Sequence, residues 1–168
     1  MSVAVVRCPG CRGVVPDEAG PVHAYMLSAP GCWRLYGEVL AREYGDALRR
    51  REHRLAVDAY AVQHPGSHDR RNRQSVALHL MSLALILERS ATHEQARRML
   101  SACARARPEF PWLEPPEVPG AVTVVDVHRA SGAGAHLELV RAWAMGAWRA
   151  WSRQHPVVLG WLEDVQLR

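Results

Sequence analysis

Cys8-Pro9-Gly10-Cys11 constrains this chain more than any other stretch. Two cysteines separated by two residues can aim both sulfurs at one ion, and Pro9 and Gly10 form the tight knuckle that turns backbone amides toward them. His23 and Cys32 follow in a segment punctuated by Gly13, Pro16, Gly20, Pro21, Pro30 and Gly31. Such punctuation forbids a long helix, so residues 12–31 form a looped segment short of apolar surface. Cys8, Cys11, His23 and Cys32 together supply four donors, enough to close a tetrahedral Zn2+ site that would staple the loop in place.

Two other chemistries are open to the same cysteines. A zinc ion with water as one ligand could activate that water as a nucleophile. Cys8 and Cys11 could instead exchange as a redox pair, but such pairs usually sit at a helix N-terminus after a strand, and Gly13 and Pro16 argue against that context. The fourth cysteine, Cys103, stands alone and reads as a small core residue.

The rest of the chain carries a helical pattern. The expected helices run from about residue 30 or 32 to 44, from 46 to 63, from 73 to 88, from 92 onward, and from 133 to 154, with a short one at the end. Ser28 is the expected cap of the first and Gly45 its stop. Thr92 and Gln95 fit a capping box. Residues 78–87 form an apolar block with little polar circumference, which marks the third helix as central and buried. Five prolines in residues 108–120 require an extended crossing segment. Residues 122–127 are β-branched and read as a short strand, whose only candidate partner is the apolar run at 3–6. The expected fold is mainly α: a single-domain helical bundle over 1–168, with residues 1–32 as a zinc-stapled N-terminal loop, 33–168 as the helical body, and at most a small two-stranded β element.

Hydrophobic residues make up 48% of the 168, including six Trp, which supports a globular core. Trp143, Trp148 and Trp151 are expected in that core, with a pocket wall as the alternative. No apolar run reaches membrane-spanning length, and residues 1–7 hold no secretory h-region, so a cytoplasmic protein is expected. Every one of the 21 basic residues is Arg, as a GC-rich coding sequence would produce, and the net charge is only +4. The Arg runs at 49–51 and 70–73 read as solvated faces; with no aromatic interleaving they argue against nucleic acid, and an Arg-rich interaction module is the residual alternative.

Several histidines suggest further chemistry. His53, Tyr60 and His64 share one helix face. His53 and His64, eleven residues apart, stand about 16 Å apart along an ideal helix and cannot share an ion. His64 ends its helix, one turn from Tyr60, where it can reach a metal or a substrate. A metal-dependent enzyme acting on a small molecule would place His64, Asp58, Tyr60 and His79 near its site, with His64 or Asp58 as general base. His79 lies in the apolar block, where an imidazole needs a partner. His79 and His136 could also contribute to a second metal site between helices.

Cys8-Pro9-Gly10-Cys11, His23-Ala24-Tyr25, Pro30-Gly31-Cys32-Trp33, Val57-Asp58-Ala59-Tyr60, Gln63-His64-Pro65 and the late helix with Trp143, Trp148 and Trp151 resemble a bacterial family of small proteins of unknown function, over nearly the whole chain. The resemblance implies that these positions form one unit and transfers no activity. The knuckle is also similar to those of zinc ribbons, but the second Cys-x-x-Cys of a ribbon is absent.

Overall fold

A computed structural model of the chain describes residues 4–106 and 108–166. It is mainly helical. Two short strands, β1 (Val5–Arg7) and β2 (Val14–Pro16), form an antiparallel hairpin in which Val5 faces Pro16 and Arg7 faces Val14. Seven α-helices follow among the described residues: α1 (Pro30–Gly45), α2 (His53–Gln63), α3 (Arg70–Leu87), α4 (His93–Ala106), α5 (Val124–His128), α6 (Gly132–Ala150) and α7 (His155–Gln166). One of the two expected β-like runs therefore pairs, but with a partner the sequence reading did not foresee. Residue 3 of that run lies outside the described residues.

The strand expected at 122–127 is a helix. Thr123 accepts a hydrogen bond from Val125 N, and Asp126 reaches back to Thr123 N at 2.8 Å, which closes a capping box and launches α5. This local pairing outweighs the β propensity of the valines, which α5 buries against α1 and α6. The second expected helix is also shortened. The Asp46 carboxylate accepts from Leu48 N and Arg49 N, which starts a separate 3₁₀ turn at Arg49–Glu52 before α2 begins. α1 starts with Pro30 in its first turn as expected, but its cap is Ala29 rather than Ser28. Thr92 and Gln95 form the expected reciprocal cap of α4.

α2 packs on α3 and α6, and α3 in turn on α4, α6 and α7. The apolar block of α3 is buried without interruption from Leu80 to Leu85, as its lack of polar circumference demands. Trp143, Trp148 and Trp151 are core residues. Their indole nitrogens donate to Gln63 Oε1 at 2.7 Å, Glu88 Oε1 at 2.7 Å and the Val62 carbonyl at 3.0 Å, so each large ring is buried with its polar atom satisfied. α6 ends where Trp151 turns inward, and a 3₁₀ turn (Ser152–Gln154) leads into α7.

Residues 108–120 form the expected extended crossing. Gln63 clamps its far end: Nε2 donates to the Pro119 and Val122 carbonyls at 3.0 and 2.9 Å while Oε1 accepts from Trp143. Gly120 adopts φ +117°, and a Cβ there would crowd Gln63 Nε2. No helix among the described residues is long and apolar enough to cross a membrane.

Candidate metal centre

The β1–β2 hairpin turn carries the knuckle. Arg12 N donates to the Cys8 carbonyl at 3.0 Å and Cys8 N to the Gly13 carbonyl at 2.9 Å, which holds Cys8 and Cys11 on one side of the turn. Cys32 lies in the first turn of α1, and His64 caps the C-terminus of α2. The donor atoms of Cys8, Cys11, Cys32 and His64 all lie within 4.8 Å of one another. Cys11 Sγ is 3.8 Å from Cys32 Sγ, and Cys32 Sγ is 3.3 Å from His64 Nε2.

Backbone packing brings these elements together. Leu27 N donates to the His64 carbonyl at 3.1 Å, tying the loop to the end of α2. Gly10 fits where no other residue does. A Cβ would overlap the Leu27 carbonyl oxygen and stand 2.5 Å from His64 Cδ2. Gly31 makes a comparable close approach to the Pro16 carbonyl.

The fourth corner is His64, not the His23 expected from spacing along the loop. His23 lies outside the cluster, with its ring edge-on to Tyr25 and Trp33 at centroid distances of 4.3 and 5.2 Å, and its Nδ1 accepts from Tyr25 N. His64 is oriented by its own helix. Its Nδ1–H donates to the Tyr60 carbonyl at 2.6 Å, which turns the Nε2 lone pair toward the sulfurs. The Tyr60 ring stacks on the imidazole at 3.9 Å, and the Tyr60 hydroxyl points at Cys32 Sγ from 3.7 Å. Burial, then the neighbouring Cys32, push the Tyr60 phenol upward, so it stays a donor.

The electrostatics of the donor set favour a cation. Hydrogen bonds from the Cys11 and Cys32 thiols hold Cys8 far below its ordinary value, against burial. The Cys11 thiol is lowered by Cys32, but its hydrogen bond to Cys8 and burial outweigh this and push it up to about 12. Cys32 is raised by its hydrogen bonds to Cys11 and Cys8 and by burial. A bound dication would draw all three sulfurs toward the thiolate form. Three thiols and an inward-turned imidazole fit a thiophilic ion of tetrahedral preference.

The four residues proposed as catalytic divide into two groups. Tyr60 and His64 belong to the cysteine cluster. Asp58 and His79 lie in a separate network between α2 and α3. There the buried Asp58 carboxylate accepts from Arg54 Nη2 at 2.8 Å, Ser82 Oγ at 2.5 Å and His79 Nδ1 at 2.7 Å. Asp58 is saturated with donors, which accounts for His79 in an apolar helix. A third network was invisible in the sequence. Glu43 of α1, fully buried, bridges His53 Nδ1 at 2.7 Å and His136 Nε2 at 2.9 Å. His53, His79 and His136 are therefore bound to carboxylates, and among the described residues no second group of three donors converges as a metal site would require. Arg49 pairs with Asp46 at 2.7 Å, and Arg51, Arg70 and Arg71 are exposed, as expected for solvated faces, whereas Arg73 is half-buried with its Nε shielded from solvent.

No curated protein and no solved structure matches this chain. A family model does match, over residues 6–152, and with them the whole of the cysteine–histidine cluster. The chain belongs to the family of unknown function DUF5946.

Proposed function

We propose that this is a zinc-binding helical protein in which the ion is structural, tying the N-terminal hairpin to the first turn of α1 and the end of α2. The observation that carries this reading is the burial of the complete donor set: Cys8 and Cys11 are 1% exposed, Cys32 and His64 0%. A catalytic zinc keeps a position open to water or substrate, whereas a structural one is closed by four protein ligands. The Tyr60 carbonyl holds His64 Nδ1–H and the Tyr60 hydroxyl points at Cys32 Sγ, which fixes the orientation of both donors. Three reduced thiols side by side suit a cytosolic location.

The test is metal content by mass spectrometry on the purified protein beside Cys8→Ser, Cys32→Ser, His64→Ala and His23→Ala, with thermal melting of each. One zinc per chain is expected in the wild type and in His23→Ala. Loss of metal together with a collapse in melting temperature is expected in both cysteine variants, and weakened retention in His64→Ala. Metal retained in both cysteine variants would overturn the proposal. So would loss in His23→Ala with retention in His64→Ala.

A further inference from the structure

A cavity of about 390 Å³ opens on the outer side of the hairpin, between the knuckle and the start of α5. Arg7 of β1, Arg12 of the knuckle and Arg129 at the end of α5 line it, from three separate segments. Among the described residues none of the three has a carboxylate partner. Elsewhere the arginines that find acids pair readily: Arg34 with Glu18, Arg54 with Asp58, Arg141 with Glu52. The single acid in the wall is Asp126, and its Oδ2 is committed to Thr123 N and Oγ1 at 2.8 and 3.1 Å. Three cationic side chains thus line the cavity with a single acid among them.

Backbone conformation at the knuckle points the same way. Arg12 has φ +63°, the left-handed region in which glycine or asparagine is the ordinary choice. This conformation costs an arginine more than it would a glycine. Close packing also fixes the cavity's shape: a Cβ on Gly13 would stand 3.1 Å from Val125 Cγ2 and 3.2 Å from Thr123 Oγ1, which shows how tightly the hairpin seats on α5. Pro119, Ala121 and Val125 give the cavity an apolar wall.

We infer that this cavity binds a small organic phosphate, with its phosphoryl group held by Arg7, Arg12 and Arg129 and its carbon skeleton against Pro119 and Val125. Guanidinium groups present paired N–H donors that match phosphate oxygens, and the volume suits a ligand of metabolite size. The cavity adjoins the cysteine cluster, since Cys11 is one of its lining residues, but the phosphoryl-holding arginines are not among the four donors, and the inference holds whether or not the ion there is zinc.

Isothermal titration of the metal-loaded full chain with ribose 5-phosphate, and separately with inorganic phosphate, at constant ionic strength, tests this. Saturable binding is expected, tighter for the organic phosphate. Arg7→Ala and Arg129→Ala are each expected to weaken it by about tenfold or more, and Arg51→Ala and Arg71→Ala to leave it unchanged. Arg7→Lys and Arg129→Lys keep the charge with little risk to folding and should still weaken binding, because the fork is lost. Metal content and melting temperature confirm that each variant is folded. The inference is overturned if neither phosphate binds saturably, if the Arg51 and Arg71 variants lose as much as the cavity variants, or if the chain binds only a polyanion such as heparin.

Discussion

Replacing Gly10 with alanine drives one methyl group into close-packed atoms beside the candidate metal site. Two of the three atoms it meets, the carbonyl oxygens of Leu27 and Gln63, belong to backbone and cannot rotate away. The third, His64 Cδ2 at 2.5 Å, belongs to a ring tethered by its Nδ1 bond to the Tyr60 carbonyl. Overpacking usually costs about 1–3 kcal/mol, and with no neighbour free to move the cost here should reach about 3 kcal/mol. For a chain of this size each kcal/mol shifts the melting temperature by about 2–4 °C, so a loss of about 6–12 °C is expected. Displacing the His64 ring should also lower metal affinity by about 10–100-fold. Gly37→Ala is the control. Gly37 is exposed inside α1, a Cβ there meets nothing within 4 Å, and alanine should stabilise by about 0.5–1 kcal/mol. Melting followed by circular dichroism and competition with a chromophoric chelator measure both quantities. Gly10→Ala with wild-type melting and wild-type affinity would refute the packing of the knuckle against His64.

Glu43→Ala leaves His53 and His136 without their shared acceptor and should cost about 3–5 kcal/mol in urea unfolding; a change within error of zero would show that the bridge contributes nothing. Burial raises the Glu43 carboxyl, but hydrogen bonds from His136 and His53 outweigh it and hold the group below its ordinary value of 4.5. A carboxyl depressed on folding stabilises fully above its unfolded value, and that contribution disappears as pH falls through the folded value. The wild type should therefore lose stability below about pH 4.5 more steeply than Glu43→Gln does, in unfolding titrations across the acid range. Trp143→Phe removes the donor that satisfies buried Gln63 Oε1 and should destabilise by about 1–3 kcal/mol, more than ring size alone would suggest; a stability equal to wild type would show that Gln63 finds another donor.

Patterns local in sequence were the legible part of this fold. The helices announced themselves through apolar spacing, Thr92 and Gln95 through their three-residue offset, and the cysteine knuckle through its own motif. What local pattern could not give was the choice among histidines. His23 stands nearer the cysteines along the chain, yet His64 is nearer in space, because the fold returns the end of α2 to the hairpin. The position of His64 at a helix end, before Pro65, was the signal that it could reach a metal. Residues 122–127 misled because valines dominate them; Thr123 and Asp126, at capping-box spacing, carried the correct reading. Glu43, His53 and His136 had no sequence signature, since each comes from a different helix and pairing across a core follows tertiary geometry alone. Arg7 and Arg12 share one hairpin, but only the tertiary fold brings Arg129 at the end of α5 beside them.

If the cluster holds an ion, the origin of the fourth donor makes that ion a reporter of tertiary assembly. Cys8, Cys11 and Cys32 could gather around a metal with little of the protein formed. His64 lies a further 32 residues beyond Cys32, after the whole of α1 and α2. Closing that span carries a loop entropy that grows only slowly with length, so its main requirement is that the two helices already be in place. Coordination should therefore ripen in two stages during folding: a weak three-sulfur intermediate in the nascent chain, then a tight site once α2 docks. Metal affinity would then measure the integrity of the helical body as much as that of the hairpin, and a core mutation far from the sulfurs would register there as faster metal release.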